Sequence, residues 1–324
     1  MNAQAKGVTR GLLGGLLWAL DTVLIGVIVK MSPLKDYAFL APLVATFLHD
    51  TFSALWLLIY NTATKKIHTI KDVLKSKKVL WVALGGILGG PIGMTSYTLA
   101  IHYIGSSETA IISATYPAIG AVLGVIFLRE KITKLGIVGL ILIITATVLM
   151  TSSSSAPQDN LKLGLMFALI CAFAWGAESV ALSHGMEEET LPQIALQIRQ
   201  ILSFLIYSSL VMPFLGGYKV VGQVIGSNTI WLIVFTGFVG TAALLFYYSS
   251  VDEIGAIQSM GLNISYSAWA VFIGFFFGQA AGLREILLAL VIMAGAIMTT
   301  ENPRDFLSIF NFKKSATEAK VKDS

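Results

Sequence analysis

The sequence is poor in charge and almost devoid of cysteine. Charged residues make up 12% of the 324 positions and hydrophobic residues 56%, whereas soluble domains carry about 25% charged residues. A water-soluble globule is therefore excluded, and we expect an integral membrane protein. Cys171 is the only cysteine, which excludes disulfide frameworks and cysteine metal sites. The formal net charge of +4 arises from basic loops rather than from one surface, so no nucleic-acid partner is implied.

Catalytic motifs are lacking as well. Nucleophiles, metal ligands and phosphate-binding glycines do not occur at useful spacings. His49 and Asp50 are adjacent, but no further metal ligand or serine partner follows them. We therefore expect that the protein is not an enzyme and that it needs no metal and no cofactor.

What fills the chain instead is a series of long apolar runs. A helix needs about 20 apolar residues to cross the hydrocarbon core of a bilayer, and short polar breaks separate ten such runs. The predicted spans are residues 10–30, 37–60, 79–101, 107–128, 134–151, 163–184, 191–214, 229–251, 257–278 and 283–300. The sequence thus predicts an all-α integral membrane protein with ten transmembrane helices.

One polar segment divides these runs into two groups of five. Residues 152–162 are rich in serine and contain a proline, a composition typical of a linker. The segment separates a first unit, 1–151, from a second unit, 163–300. A polar tail, 301–324, closes the chain.

The basic residues of the loops predict the orientation. Sixteen Lys and Arg residues lie on one predicted side of the membrane and five on the other, and cytoplasmic loops carry the excess. Both termini are therefore predicted to be cytoplasmic, with the linker outside. The first run is too long for a signal-peptide core and no cleavage pattern follows it, so we expect a retained span in a multi-pass protein of the plasma membrane.

The two halves of the chain repeat each other. An offset of 157 residues pairs Trp18 with Trp175 and Asp21 with Glu178. From the second run onward an offset of 150 pairs further positions, namely Ser53 with Ser203, Gly90 with Gly240, Tyr97 with Tyr247, and Tyr116 with Tyr266. Because five spans is an odd number, the second half enters the membrane from the opposite side. Inverted five-helix repeats of this kind are typical of secondary transporters, which bind substrate near the midplane.

Two acidic residues interrupt the apolar runs. A carboxylate near the bilayer centre is costly, so its default explanation is a function with a named partner. Glu178 and Asp21 could each neutralise a cationic substrate, carry a coupling proton or pair with another polar group. Trp175 and Trp18 precede them by about one helical turn on the same face. These rings could wall a cage for a cation, or they could serve helix packing.

A second set of polar pairs occupies equivalent positions in the two halves. His49 with Asp50 lies in the second span, and Arg199 with Gln200 lies in the seventh. They form either an internal ion pair that links spans or part of a coupling site.

Prolines, tyrosines and small polar residues in the spans also allow two interpretations. Pro91 and Pro117 interrupt the helical hydrogen-bond ladder, which frees carbonyls for a cavity or only kinks the helices. Asn263 and Ser265 could bond a substrate hydroxyl or hold helices together. About half of the tyrosines within the spans are expected to reach the cavity; these tyrosines are Tyr97, Tyr116, Tyr247, Tyr248 and Tyr266.

Ten spans in two inverted halves resemble the EamA-type carriers of the drug/metabolite transporter superfamily, and the resemblance extends to about residue 300. Longer strings resemble the bacterial LicB-type choline importers within that superfamily. These strings are GGPIGM (89–94), YIGSS (103–107), SA with YP (113–114 and 116–117), AWGAESV (174–180), IRQ (198–200) and GLNISY (261–266).

The resemblance implies uptake of choline, held in an aromatic box and driven by the proton gradient. Matching positions assign the box to Trp18, Tyr116, Trp175, Tyr248 and Tyr266, with Glu178 as the nearby acid. Asn263, which could bond a substrate hydroxyl, completes the set of predicted substrate-binding residues. Asp21 and Tyr97 depart from the pattern of that group, which leaves room for a different amine or a different mode of coupling.

We therefore expect a secondary active transporter in the lipid bilayer that imports choline or a related organic cation together with a proton. The alternative is an exporter of amino acids or similar metabolites, in which Arg199 and helix N-termini would hold a carboxylate.

Overall fold

The computed structural model describes residues 3–104, 109, 112–151, 161–186, 190–276 and 282–300. These residues form helices and connecting turns, and no strand occurs among them. Most of the predicted linker and the whole predicted tail lie outside the described residues.

The helices have the following bounds. In chain order they are α1 (Ala3–Ile28), α2 (Leu40–Ala63), α3 (Ile70–Lys75), α4 (Val79–Ile87), α5 (Gly93–Ile104), α6 (Tyr116–Leu123), α7 (Lys134–Thr151), α8 (Leu161–Met186), α9 (Pro192–Ile206), α10 (Met212–Phe214), α11 (Tyr218–Ile225), α12 (Thr229–Ile254), α13 (Ala256–Asn263), α14 (Tyr266–Phe276) and α15 (Leu283–Met298). Wider π-helical turns join α4 to α5 (Leu88–Ile92) and α9 to α10 (Tyr207–Val211), and a third follows α6 (Gly124–Leu128).

Seven helical segments are long and apolar enough to cross a membrane, and they coincide with the first, second, third, sixth, seventh, eighth and ninth predicted spans. Shorter apolar helices cover Tyr116–Leu128 and Lys134–Leu149, where the fourth and fifth spans were expected. The last run forms α15, which has 16 residues. The prediction of an all-helical, multi-pass membrane protein is thus confirmed.

The fourth and ninth runs were each predicted as one span, and each is interrupted by a turn. The first turn lies at Ala114 and Thr115, immediately before α6, and the second at Ile264 and Ser265, immediately before α14. Pro117 explains the first interruption, because proline has no backbone N–H and disfavours a helical residue before it. Each interrupted run resumes as a helix at a tyrosine.

Close helix packing brings the two halves together in equivalent ways. The most extensive contact is that of α1 with α12, and α8 packs against α4 and α5. A Cβ atom on Gly7 would overlap the side chain of Ile254, and one on Gly164 would overlap Ile104. Glycine is therefore needed at both crossings, where the backbones approach closely. The two contacts are related by the same offsets of 157 and 150 that relate the half-sequences.

The outer surface of the helices is apolar. Phe214 and Phe276 are each 90% exposed, and Trp231 is 72% exposed. Such a surface suits hydrocarbon, where the backbone polar groups are satisfied within helices. Polar side chains gather instead between α1, α2, α8, α9 and α12.

Candidate functional site

A cavity enclosed by rings lies where α1, α6, α8, α12 and α14 converge. We call it the aromatic cavity. Its aromatic lining residues are Trp18, Tyr116, Trp175, Tyr247 and Tyr266. Its polar lining residues are Glu178, Ser179, Arg199 and Asn263.

A second cavity adjoins the first, and we call it the His49 cavity. Both cavities are lined by Trp18, Trp175, Tyr266 and Arg199. The residues that the second cavity adds are mostly polar, namely Asp21, Thr22, Ile25, Thr46, His49, Asp50 and Tyr97. The two tryptophans therefore face both cavities, while Glu178 lines one and Asp21 lines the other.

The orientation of Trp175 is fixed by three contacts. Its indole N–H donates a hydrogen bond to the carbonyl oxygen of Gly89 at 3.2 Å, within the π-helical turn that contains Pro91. Its ring lies 5.3 Å from the ring of Tyr97 and meets the ring of Tyr116 edge-on at 6.0 Å. Ring pairs at these distances are attractive, so the indole face is held toward the cavities.

Glu178 is a buried carboxylate with two neighbours on one oxygen. Its Oε1 accepts a hydrogen bond from Arg199 Nε at 3.1 Å and one from the Tyr248 hydroxyl at 3.4 Å. The side chain reaches Gly89 so closely that a Cβ at that position would overlap the carboxylate. The glycine of the π-helical turn therefore makes room for the acid of α8.

Arg199 extends this contact into a polar chain. Its Nη1 donates to Gln200 Oε1 at 2.6 Å, and the amide of Gln200 donates to Ser53 Oγ on α2 at 2.6 Å. Thr241 of α12 contacts the same serine hydroxyl at 2.7 Å. The chain thus connects α8 and α9 with α2 and α12.

His49 stands at the centre of a second polar chain. Its Nε2 lies 3.2 Å from Asp21 Oδ1 on α1, and its Nδ1 lies 3.0 Å from Asp50 Oδ1. The hydroxyl of Ser203 on α9 donates to Asp50 Oδ2 at 2.5 Å. All three titratable members of this chain are no more than 5% exposed, so they are withdrawn from bulk water.

The two polar chains are equivalent under the sequence offsets. An acid of the first span in each half pairs with a base of the second span in that half, and the residue after the base reaches a serine of the other half. In order, the members are Asp21, His49, Asp50 and Ser203 in one chain and Glu178, Arg199, Gln200 and Ser53 in the other.

The comparison with known sequences assigns the protein to a family. Residues 5–152 match the EamA-like transporter family. Protein LicB of Haemophilus influenzae is 30% identical over 299 residues, which are 91% of this chain and 97% of that protein. The chain belongs to the EamA-like transporter family. The predicted family, a branch of the drug/metabolite transporter superfamily, and the predicted similarity to LicB are thereby confirmed.

Two further proteins are similar to this transporter at lower identity. An uncharacterized transporter of Clostridium kluyveri is 19% identical over 249 residues, which cover 75% of this chain and 78% of that protein. A crystal structure of a protein that is 18% identical superimposes with a TM-score of 0.68 and covers 92% of this chain and 97% of its own. At that identity the likeness concerns the fold alone.

The structure brings most of the predicted binding residues of this transporter together. Trp18, Tyr116, Trp175, Glu178, Asn263 and Tyr266 all line the aromatic cavity. Tyr248 does not appear among the lining residues of either cavity, and its hydroxyl instead donates a hydrogen bond to Glu178.

Its neighbour Tyr247 lines the aromatic cavity instead and shares a short hydrogen bond with the Ser179 hydroxyl. Helical spacing could have identified this face of α12, because Ala243 and Leu244 lie four and three residues before Tyr247 and all three line the cavity.

Proposed function

We propose that this transporter imports choline, or a closely related organic cation, across the plasma membrane together with a proton. The observation that carries the proposal is that Trp18, Tyr116, Trp175 and Tyr266 surround one cavity that also holds Glu178. A quaternary ammonium offers no hydrogen-bond donor, so its recognition depends on ring faces and diffuse negative potential. Each ring face contributes about 1 to 2 kcal/mol when the site is dry.

The partner of Glu178 favours a cation over an anion as substrate. Export of amino acids, the alternative, would require Arg199 to hold a carboxylate. The guanidinium already contacts Glu178 and the side chain of Gln200, and a substrate carboxylate would have to share it with the buried acid. The aromatic cavity is lined by more aromatic than polar side chains, which supports a cation as the substrate.

The same proposal includes ten spans in two inverted repeats with both termini in the cytoplasm. It is supported by the equivalent glycine crossings and by the equivalent helix interruptions before Tyr116 and Tyr266. A shallow pocket lined by Arg10, Tyr60 and Gln193 further joins the start of α1, the end of α2 and the start of α9 on one side. Alternating access would then follow from one group of helices moving against the other around the fixed cavities.

Binding of choline to the purified transporter tests the function. We expect choline, but not a panel of amino acids, to stabilise the protein against thermal unfolding and to bind saturably in calorimetry. Trp175→Ala should weaken choline binding about tenfold or more, since about 1.4 kcal/mol corresponds to a factor of ten. Trp175→Phe should retain part of the affinity.

Trp231→Ala provides the matched control, because this tryptophan is exposed on the outer surface of α12 and lines neither cavity. It should bind choline as the parent does. Equal choline affinity of the two alanine variants, with both still folded, would exclude the aromatic cavity as the choline-binding site. Stabilisation by amino acids alone would favour the exporter.

A further inference from the structure

The bases at the centres of the two polar chains differ in how they hold their partners. Arg199 is permanently charged and carries five N–H donors. It contacts Glu178 and Gln200 at once and needs no titratable proton to do so. The guanidinium therefore needs no added proton to contact both partners at physiological pH.

His49 meets a carboxylate oxygen with each ring nitrogen. A neutral imidazole has one N–H, so with Asp21 and Asp50 both ionised one of these two contacts would lack a hydrogen. One additional proton, on the ring or on a carboxylate, completes both hydrogen bonds at 3.2 and 3.0 Å. The proton belongs to the cluster of three rather than to one member. The arrangement therefore provides a place for one exchangeable proton.

The proton also decides a contact between helices. Asp50 is adjacent to His49 on α2 and has a second partner in Ser203. Asp21 lies on α1, and its contact with His49 is the longer of the two. Without the additional proton, we expect the contact between Asp21 on α1 and His49 on α2 to be the one that lacks a hydrogen. Because α1 also carries Trp18, this contact connects the proton with the wall of the aromatic cavity.

Charged and titratable groups on several helices surround the triad. Arg199 faces it from α9, Glu178 from α8, Tyr207 from the π-helical turn after α9, and Tyr97 from α5. From α12 the triad meets Gly240, where a Cβ would overlap the imidazole.

Charge neutrality gives the ratio of proton to cation. The charged or titratable acids and bases among the described residues lining the two cavities are three carboxylates, one guanidinium and one imidazole. With the imidazole neutral, two negative charges have no positive partner. A proton on the triad balances one, and a monovalent organic cation balances the other. A buried network with uncompensated charge is costly, so the loaded state is favoured when both are bound.

We propose that the triad of Asp21, His49 and Asp50, joined through both ring nitrogens beside the cavity wall of Trp18, is the proton site of this transporter and couples one proton to each organic cation. The inference rests on the proposed function and extends it to the residues that carry the coupling. Arg199 occupies the equivalent position in the second half and needs no added proton to contact its two partners.

Uptake into proteoliposomes at zero membrane potential tests the coupling. A pH gradient with an alkaline interior should drive the parent to accumulate labelled choline about tenfold per pH unit for one coupled proton, since one unit corresponds to about 1.4 kcal/mol. His49→Gln and Asp21→Asn should still exchange labelled for unlabelled choline but should reach an accumulation ratio near one. His49→Arg, which imitates the equivalent Arg199, should show the same loss.

His68→Gln is the matched control, because His68 is exposed on the short helix Ile67–Thr69, away from both cavities, and it should accumulate choline as the parent does. Parent-like accumulation by His49→Gln or Asp21→Asn would overturn the triad as the proton site and leave the proposed function intact. A parent that neither binds nor accumulates choline would contradict the proposed function and this inference with it. If His49→Gln does not fold, Asp21→Asn and His49→Arg decide between the same results.

Discussion

The two halves of the protein place the same kind of polar chain at the same position and fill it with different chemistry. In the second half, Arg199 joins Glu178 to a neutral amide, and the charges balance. In the first half, His49 joins two acids, so one negative charge remains for a cation to balance even when the triad holds one added proton. The two half-sequences thus keep the same pattern of contacts, while the base at the centre is an arginine in one half and a histidine in the other.

The difference is one of residue type rather than of geometry. The distances between base and acid are 3.1 Å in one half and 3.2 Å in the other, and the members of both chains are buried. Buried polar groups of this kind require complete pairing, since an unpaired partner is costly. The substitutions below change one half at a time and compare the outcomes.

The largest effect should follow the loss of Arg199. Arg199→Gln leaves Glu178 without its cation, and breaking a buried pair in this way costs about 3–5 kcal/mol of unfolding free energy. Adding Glu178→Gln should recover much of the loss, because neither charge then remains. Thermal unfolding in detergent at neutral pH measures both variants.

A surface pair provides the control for this prediction. Arg10 contacts Glu253 at 2.7 Å, but the arginine side chain is 41% exposed. Arg10→Gln should cost about 1 kcal/mol or less, as exposed pairs do. If Arg10→Gln destabilised as much as Arg199→Gln, the buried chain would have no special role in stability.

A smaller effect should distinguish two glycines that lie against opposite ends of the chain formed by Asp21, His49, Asp50 and Ser203. Gly240 and Gly90 are equivalent in the two halves, yet a Cβ on Gly240 would overlap the His49 ring, whereas a Cβ on Gly90 would lie 3.0 Å from Ser203 Oγ. Added volume in a packed interior costs about 1–3 kcal/mol. Gly240→Ala should therefore be at the upper end of that range and Gly90→Ala at the lower end.

The measurement that distinguishes the two glycine variants is the pH dependence of choline uptake. Gly240→Ala displaces the imidazole from Asp21 and should reduce the accumulation driven by a pH gradient. Gly90→Ala leaves the imidazole in place and should preserve it. A parent-like gradient response of Gly240→Ala, together with an altered response of Gly90→Ala, would contradict the assignment of the proton site to the contact of His49 with Asp21.

Much of this architecture could be predicted from the sequence because long runs of apolar residues indicate transmembrane helices. The internal repeat also indicated that Trp18 and Trp175, and Asp21 and Glu178, occupy equivalent positions, and both tryptophans line both cavities. Hydropathy cannot report backbone dihedral angles, however. Pro117 indicated the interruption of the fourth span, whereas nothing in the sequence indicated the turn before Tyr266.

The partners of the acids were not accessible from the sequence either. Whether Asp21 meets His49 or another polar group depends on how α1 and α2 rotate against each other, and no local spacing fixes that rotation. The same limitation applies to Tyr247 and Tyr248, which are adjacent in sequence but turn toward the aromatic cavity and toward the back of Glu178, respectively.

The smallest effect should distinguish the two serines at the far ends of the chains. Ser203 donates to a carboxylate oxygen of Asp50 at 2.5 Å, whereas Ser53 accepts from the neutral amide of Gln200 at 2.6 Å. Hydrogen bonds to charged groups contribute about 1.5–3 kcal/mol and neutral ones about 0.5–1.5 kcal/mol. Ser203→Ala should therefore lower the unfolding free energy by about 1 kcal/mol more than Ser53→Ala. Both substitutions remove one oxygen from a buried site of equal exposure, but Ser53 also contacts Thr241, so the charge of Asp50 is read from how their difference in thermal unfolding changes with pH. Acidification that protonates Asp50 should bring the two variants together, and the absence of any extra loss for Ser203→Ala at neutral pH would contradict a charged Asp50 in the folded transporter.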